Sequence, residues 1–399
     1  MSNLIRFFFT LSVLLLPFST YAGGGQYVIS FAMPFLVVFF FLECFFILFK
    51  RLSFARHLSA QYVIYFLYAI YASYACLFSL TPLVSLSRAI INLVGFIIFM
   101  YIIHVVFMSQ DRQKAYNYFL RIFFYFGILL AMYFIANIFI QAYQHSMLAV
   151  FSSRGGGRSY MSIGWGTSNT VAATLLLTLP IARLYYIRIN GKSSGFFVYL
   201  ILFAIFLTLS RNAIISSLGF LIFSSLNRKN YKNLIFLIII SLGCLYALEC
   251  FFPAVFASRN STIFNFNGRT ELWSQGLNVI GDQFWQLLFV PSAGFYGCLS
   301  KYGYSFHNVL LTTMIEQGLI GLILLILVYV SPVFTFFRCC LANKREMKIL
   351  SLGLLFGLLD LMFEDVNFLT PYMLCTWALF GLFYASLFLS NDPLRGACV

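Results

Sequence analysis

The sequence predicts an all-α polytopic integral membrane protein of about twelve transmembrane helices with one long outer loop, and three observations carry that expectation. Of the 399 residues 62% are hydrophobic and only 9% charged, where an ordinary soluble domain carries about a quarter charged. Mean hydropathy is +0.92. Apolar runs of the roughly 20 residues needed to cross a bilayer recur along the chain, and no polar segment is long enough to fold apart from them. Residues 1–399 therefore read as a single membrane domain.

The runs fall at about 3–22, 27–49, 60–80, 89–108, 117–142, 168–189, 195–210, 212–226, 233–252, 308–334, 349–368 and 370–390. The first admits a second reading as a cleaved signal peptide, with Arg6 as its charged region and Ala22 at the cut. Between spans nine and ten lies the long loop, 253–306. Within it, Leu272, Trp273, Leu277, Ile280, Phe284, Leu287 and Leu288 fit one or two amphipathic helices, which Trp273 and Trp285 would seat at the interface.

Charge sets the expected orientation. With the N-terminus inside, seven basic residues fall outside: Arg88, Arg154, Arg158, Arg211, Arg259, Arg269 and Lys301. The other 18 of the 25 gather at inner helix ends. This asymmetry follows the positive-inside rule and places both termini in the cytoplasm. The net charge of +14 is thus largely topology and requires no nucleic acid. The nine cysteines mostly lie in spans or at inner ends. Only Cys250 and Cys298 flank the outer loop, either as a pair or as separate buried thiols.

The outer basic residues call for another explanation. Arg154 and Arg158 bracket three glycines in SSRGGGR, either a surface turn or a cradle of backbone amides for a phosphate. Arg211 interrupts two apolar segments, where a charge is disfavoured unless it faces a cavity. Spans six, eight and ten would present their N-termini outward, with Ser168 or Asn169, and Ser210, as caps. Such ends attract anions. Arginines beside several positive helix ends imply an anionic ligand at the outer face, although Arg269 alone reads equally as surface charge.

His307 opens the tenth span. Its ring can take a proton near neutral pH, and Asn308 beside it could orient that ring or a substrate hydroxyl. His57, His104 and His145 show no such setting, and no metal-ligand spacing is present. In span eleven Asp360, Glu364 and Asp365 either pair with basic residues or orient a reacting group. Glu43 and Glu316 lie inside spans with no role assigned.

HNVLLTTMIEQGLIG (307–321) resembles the H-[NSQ]-x9-G-x-x-G signature of the bacterial O-antigen ligases and of the wider ligase/polymerase superfamily. TLSRNAI, NGRTELWSQGLNVI, SIGWGTSNTVAATLLLTLP and EDVNF resemble further segments of that family, and the likeness covers about 160–370. It implies a GT-C-like glycosyltransferase of the bacterial inner membrane that uses no cofactor or metal, with the 253–306 loop and the active site facing the periplasm among membrane lipids. It further implies transfer of a glycan from undecaprenyl diphosphate to a sugar hydroxyl of lipid A–core. On that resemblance Arg211 and Arg269 hold the diphosphate. His307 activates or positions the acceptor hydroxyl, and Asp365 orients a partner. An O-antigen or exopolysaccharide polymerase and an O-oligosaccharyltransferase are the near alternatives. A secondary transporter should show repeated halves, and none links 1–200 with 201–399.

Overall fold

A computed structural model describes residues 2–22, 27–50, 60–151, 161–163, 166–191, 195–225, 269–294, 298–303, 306–342, 345–363 and 370–390. The helices are α1 (Ser2–Leu15), α2 (Met33–Lys50), α3 (Ala60–Ala75), α4 (Pro82–Met108), α5 (Arg112–His145), α6 (Met147–Phe151), α7 (Ser168–Asn190), α8 (Phe196–Leu207) and α9 (Arg211–Ser225). After the undescribed stretch follow α10 (Arg269–Asp282), α11 (Phe284–Phe289), α12 (Cys298–Tyr302), α13 (Val309–Ala342), α14 (Arg345–Leu361) and α15 (Thr370–Ser390).

Helices thus occupy every expected span position except the ninth, 233–252, which lies outside the described residues. Five are long and apolar enough to cross a membrane: Ser85–Met108, Arg112–His145, Ser168–Ile189, Val309–Arg338 and Pro371–Leu389. The expectation of an all-α chain needs one correction. Strands β1 (Ser19–Ala22) and β2 (Tyr27–Ser30) pair antiparallel, Ser19 opposite Ser30. The first helix stops at Leu15, just before Pro17, which has no N–H to continue the ladder. The first run is therefore a helix followed by a strand rather than a helix over 3–22. Helix α8, of 12 residues, is likewise shorter than its apolar run of 195–210, whereas α9, of 15 residues, matches the length of its run.

Buried helices α7 and α15 form the centre, each 89% buried across its apolar window, whereas α13 is 33% buried and lies at the rim. With lipid outside, close backbone approach replaces the hydrophobic effect as the force between helices, so small residues mark the contacts. A Cβ on Gly95 of α4 would stand 2.2 Å from the Trp377 ring of α15, and the Trp377 Nε1–H donates to Asn92 Oδ1 at 2.9 Å. Gly353 of α14 takes the Pro180 ring of α7, and Gly357 takes Leu177.

These contacts fix direction. Arg188 meets Glu346 at 2.8 Å, so α7 and α14 pair 188 with 346, 180 with 353 and 177 with 357, antiparallel. Phe356 covers Gly219 of α9, while the buried Arg183 guanidinium donates to Leu221 O, Ser224 Oγ and Ser225 Oγ. Arg183, Arg188, Glu346 and the end of α9 therefore share one end of the bundle. The starts of α7, α9 and α13 and the end of α14 share the other.

Gly353→Ala should test this register. A methyl would sit 2.5 Å from the rigid Pro180 ring, and overpacking of that kind costs about 1–3 kcal/mol. The expected result is a lower thermal midpoint in detergent, with helical circular dichroism retained.

Candidate functional site

The site begins with a change of backbone hand. His307 has φ +47°, a left-handed conformation uncommon outside glycine and maintained only where the surroundings over-determine it. Both neighbours do so. Phe306 is fully buried in a small satellite core with Ala293, Cys298 and Ile315. Asn308 caps α13, its Oδ1 accepting from Leu310 N at 3.0 Å and Leu311 N at 3.2 Å. The expected orienting residue Asn308 thus uses its side-chain oxygen to start the helix. His307, half-buried between them, sits where a packed loop turns into α13.

The two glycines of the 307–321 signature shape what lies below. Gly318 has φ +70° and ψ −173°, breaking α13 into two helical segments. The part beyond, Leu319–Arg338, has the roughly 20 residues that suffice to cross a bilayer. At the break the Ile315 carbonyl accepts from Ser292 N at 3.1 Å and Ala293 N at 3.2 Å. A Cβ on Gly318 would lie 2.8 Å from the Leu287 carbonyl oxygen of α11, and one on Gly321 would strike the Gln317 side chain. The break thus admits a buried strap, 291–294. Its far side at Gly294 (φ +76°) presses on Ala75 O and Ser79 N of the α3–α4 turn.

Two helices, α10 and α11, lie in the described part of 253–306, with Leu277 of α10 and Phe284 of α11 exposed. α10 carries Arg269, Trp273 and Gly276 at i, i+4 and i+7, one helical face. Trp273 packs on Phe363 just past α14, ring centroids 5.9 Å apart. A Cβ on Gly276 would be 2.9 Å from Phe306. One face therefore docks against both the end of α14 and the residue before His307, with Arg269 one turn beyond Trp273. Trp285 and Phe289 of α11 are largely exposed.

Arg211 reaches the same end from the opposite side of the sequence. It opens α9, half-buried, after Leu209 at φ +54°. The Thr208 hydroxyl caps the joint, accepting from Ser210 N at 3.2 Å. From Gly219, which meets Phe356, the helix rises about 12 Å to Arg211, and α14 rises about 10 Å from Phe356 to Phe363. Arg211 and Phe363 accordingly stand at about the same height.

The fold thus brings His307, Arg211 and Arg269 to one end of the bundle. Arg154, Arg158, Glu364 and Asp365 lie outside the described residues. Asp360 is buried a turn deeper. The N-cap position of α7 falls at Thr167 rather than at Ser168 or Asn169, and the Thr167 side chain makes no capping hydrogen bond there. Lys301, one of the outer basic residues, is committed to structure: its Nζ donates to Ser292 O and Oγ, each at 2.7 Å. Among the described residues no three His, Cys, Asp or Glu side chains gather as metal ligands. Sequence reasoning did not find Ser292 or the docking role of Gly276. The signal for Gly276 was its place as a glycine of the NGRTELWSQGLNVI segment, seven residues after Arg269.

Comparison with known proteins selects the same region. Residues 196–326 match the family model described as O-antigen ligase, a stretch that contains Arg211, Arg269, His307 and both signature glycines. A 129-residue segment is 31% identical to the exopolysaccharide production protein ExoQ of Rhizobium meliloti (strain 1021), covering 28% of this chain and 29% of the relative.

Two substitutions in α10 should separate docking from helix formation. Gly276→Leu pushes against Phe306 and is expected to lower the thermal midpoint and speed proteolysis of the 298–308 loop. Gly281→Ala, where nothing lies within 4 Å, should be neutral or stabilising by up to about 1 kcal/mol.

Proposed function

We propose, for a chain that carries the O-antigen ligase family match across residues 196–326, that it transfers a glycan from undecaprenyl diphosphate to a sugar hydroxyl at the periplasmic face of the bacterial inner membrane. Both termini are cytoplasmic in this reading. The observation that carries it is the convergence of two arginines and one histidine, from three distant segments, at one end of the helix bundle. Planar guanidinium groups suit a diphosphate better than ammonium does. Fixed positive charge where negative charge develops stabilises the transition state without reorganisation.

In this mechanism the acceptor oxygen attacks the anomeric carbon from the face opposite the diphosphate. The new C–O bond forms as the bond to the leaving phosphate oxygen breaks, with inversion. The hydroxyl proton passes to the His307 ring. Arg211 and Arg269 hold the departing diphosphate, with Arg154 and Arg158 as further contacts. Asp365 orients the histidine or the acceptor. The first choice of acceptor is lipid A–core. A second reading, exopolysaccharide chain extension on another lipid-linked unit, is favoured by the similarity to ExoQ.

Deletion of the gene, followed by a glycolipid profile, distinguishes the two. Bare lipid A–core with long glycan retained on undecaprenyl diphosphate identifies a ligase. Loss of long chains with single repeat units remaining identifies polymerisation. In a purified transfer assay His307→Ala should reduce the rate by about 10²-fold or more, in the range of general-base removal. Arg211→Lys and Arg269→Lys should each weaken turnover while keeping the charge. A His307→Ala protein as active as wild type would remove the proposed proton acceptor.

A further inference from the structure

We propose that Glu316 is a positioning residue for His307, holding the loop whose last turn presents the imidazole. This rests on the reading of His307 as proton acceptor given above. Glu316 is 2% exposed, in the α13 segment between the histidine and the Gly318 break. A carboxylate so deep in an apolar setting is disfavoured unless it is hydrogen-bonded. Its Oε1 accepts the backbone N–H of Cys298, the first residue of α12, at 3.1 Å.

That bond secures one end of the segment leading to the site. Cys298 and Phe306 pack in one satellite core with Ala293 and with Ile315, the residue before Glu316. Lys301 ties the middle of the segment to the strap through Ser292, and the strap itself hangs on Ile315 O. Glu316 and Ile315 are therefore adjacent anchors on α13 for a loop whose exit is Phe306. The left-handed His307 follows at once. Along the helix Glu316 lies about 13 Å from His307, too far to share a substrate hydroxyl. Its influence on the imidazole runs through the 298–306 loop. Misplacement of a reacting group by about 1 Å can lower a rate about 10²-fold, so a loosened anchor is read as lost turnover.

The test uses full-length protein in lipid nanodiscs, with Glu316→Gln and Glu316→Leu compared with wild type. Gln retains an oxygen that can accept the Cys298 N–H, whereas Leu does not. Hydrogen exchange over 298–308 and steady-state transfer from a synthetic polyprenyl-diphosphate glycan are measured on each. The proposal expects Glu316→Leu to speed exchange in 298–308, leave the central helix α7 protected, and lower kcat about 10- to 100-fold at nearly unchanged donor KM. Glu316→Gln should stay within about threefold of wild type in both readouts. Unchanged exchange and unchanged kcat in Glu316→Leu overturn the proposal. So does loss of turnover in Glu316→Gln with exchange unaltered, since the charge would then act on the chemistry directly. If wild type transfers no glycan but Glu316→Leu still loosens 298–308, the anchor stands and the proposed function fails.

Discussion

A carbonyl in a lipid-embedded helix must find a donor within the protein, because hydrocarbon offers none. The left-handed Gly318 opens α13 at the level of Ile315, and the strap N–H groups of Ser292 and Ala293 occupy that opening. Most of the candidate site follows from this exchange of backbone partners. The strap seats α11 against the break, and the α12 loop is tied back to it by Lys301 and to α13 by Glu316. The loop then delivers Phe306 to the satellite core and His307 to the start of the helix.

The two ends of the bundle handle charge differently. At one, Arg188 is paired with Glu346, donates to Asn117 and lies 4.5 Å over the Tyr116 ring. Arg183 beside it donates to two serine hydroxyls and a carbonyl. These basic residues lock helices together. At the other end Arg211 and Arg269 begin helices, so backbone N–H dipoles add to their charge.

Much of the site was legible because motif residues carry their own chemistry. His307, Arg211 and Arg269 stand out as ionisable groups where an apolar chain disfavours them. The helical spacing of apolar residues over 272–288 could not show where α10 and α11 dock. Lys301 misled for the opposite reason: from sequence it is one more outer cation, and only the fold shows its ammonium bound to Ser292. Asn308 and Glu316 are similar cases, since a cap and a buried anchor depend on where neighbouring backbone N–H groups point. The β-hairpin at 19–30 was hidden by composition, because apolar strands and apolar helices have the same mean hydropathy.

By itself the sequence determined that this chain lives in a membrane, roughly where along the chain its helices fall, and which ionisable side chains need explaining. Those are properties of local composition and period, which hydration of the chain decides without reference to distant contacts. Only the tertiary structure decided that Trp273 meets Phe363, that Gly276 receives Phe306, and that a strap from one segment completes the broken helix of another. The pairing of groups far apart in the chain is selected by close packing and by the demand that buried backbone groups find partners, and neither constraint is written in any single stretch of residues.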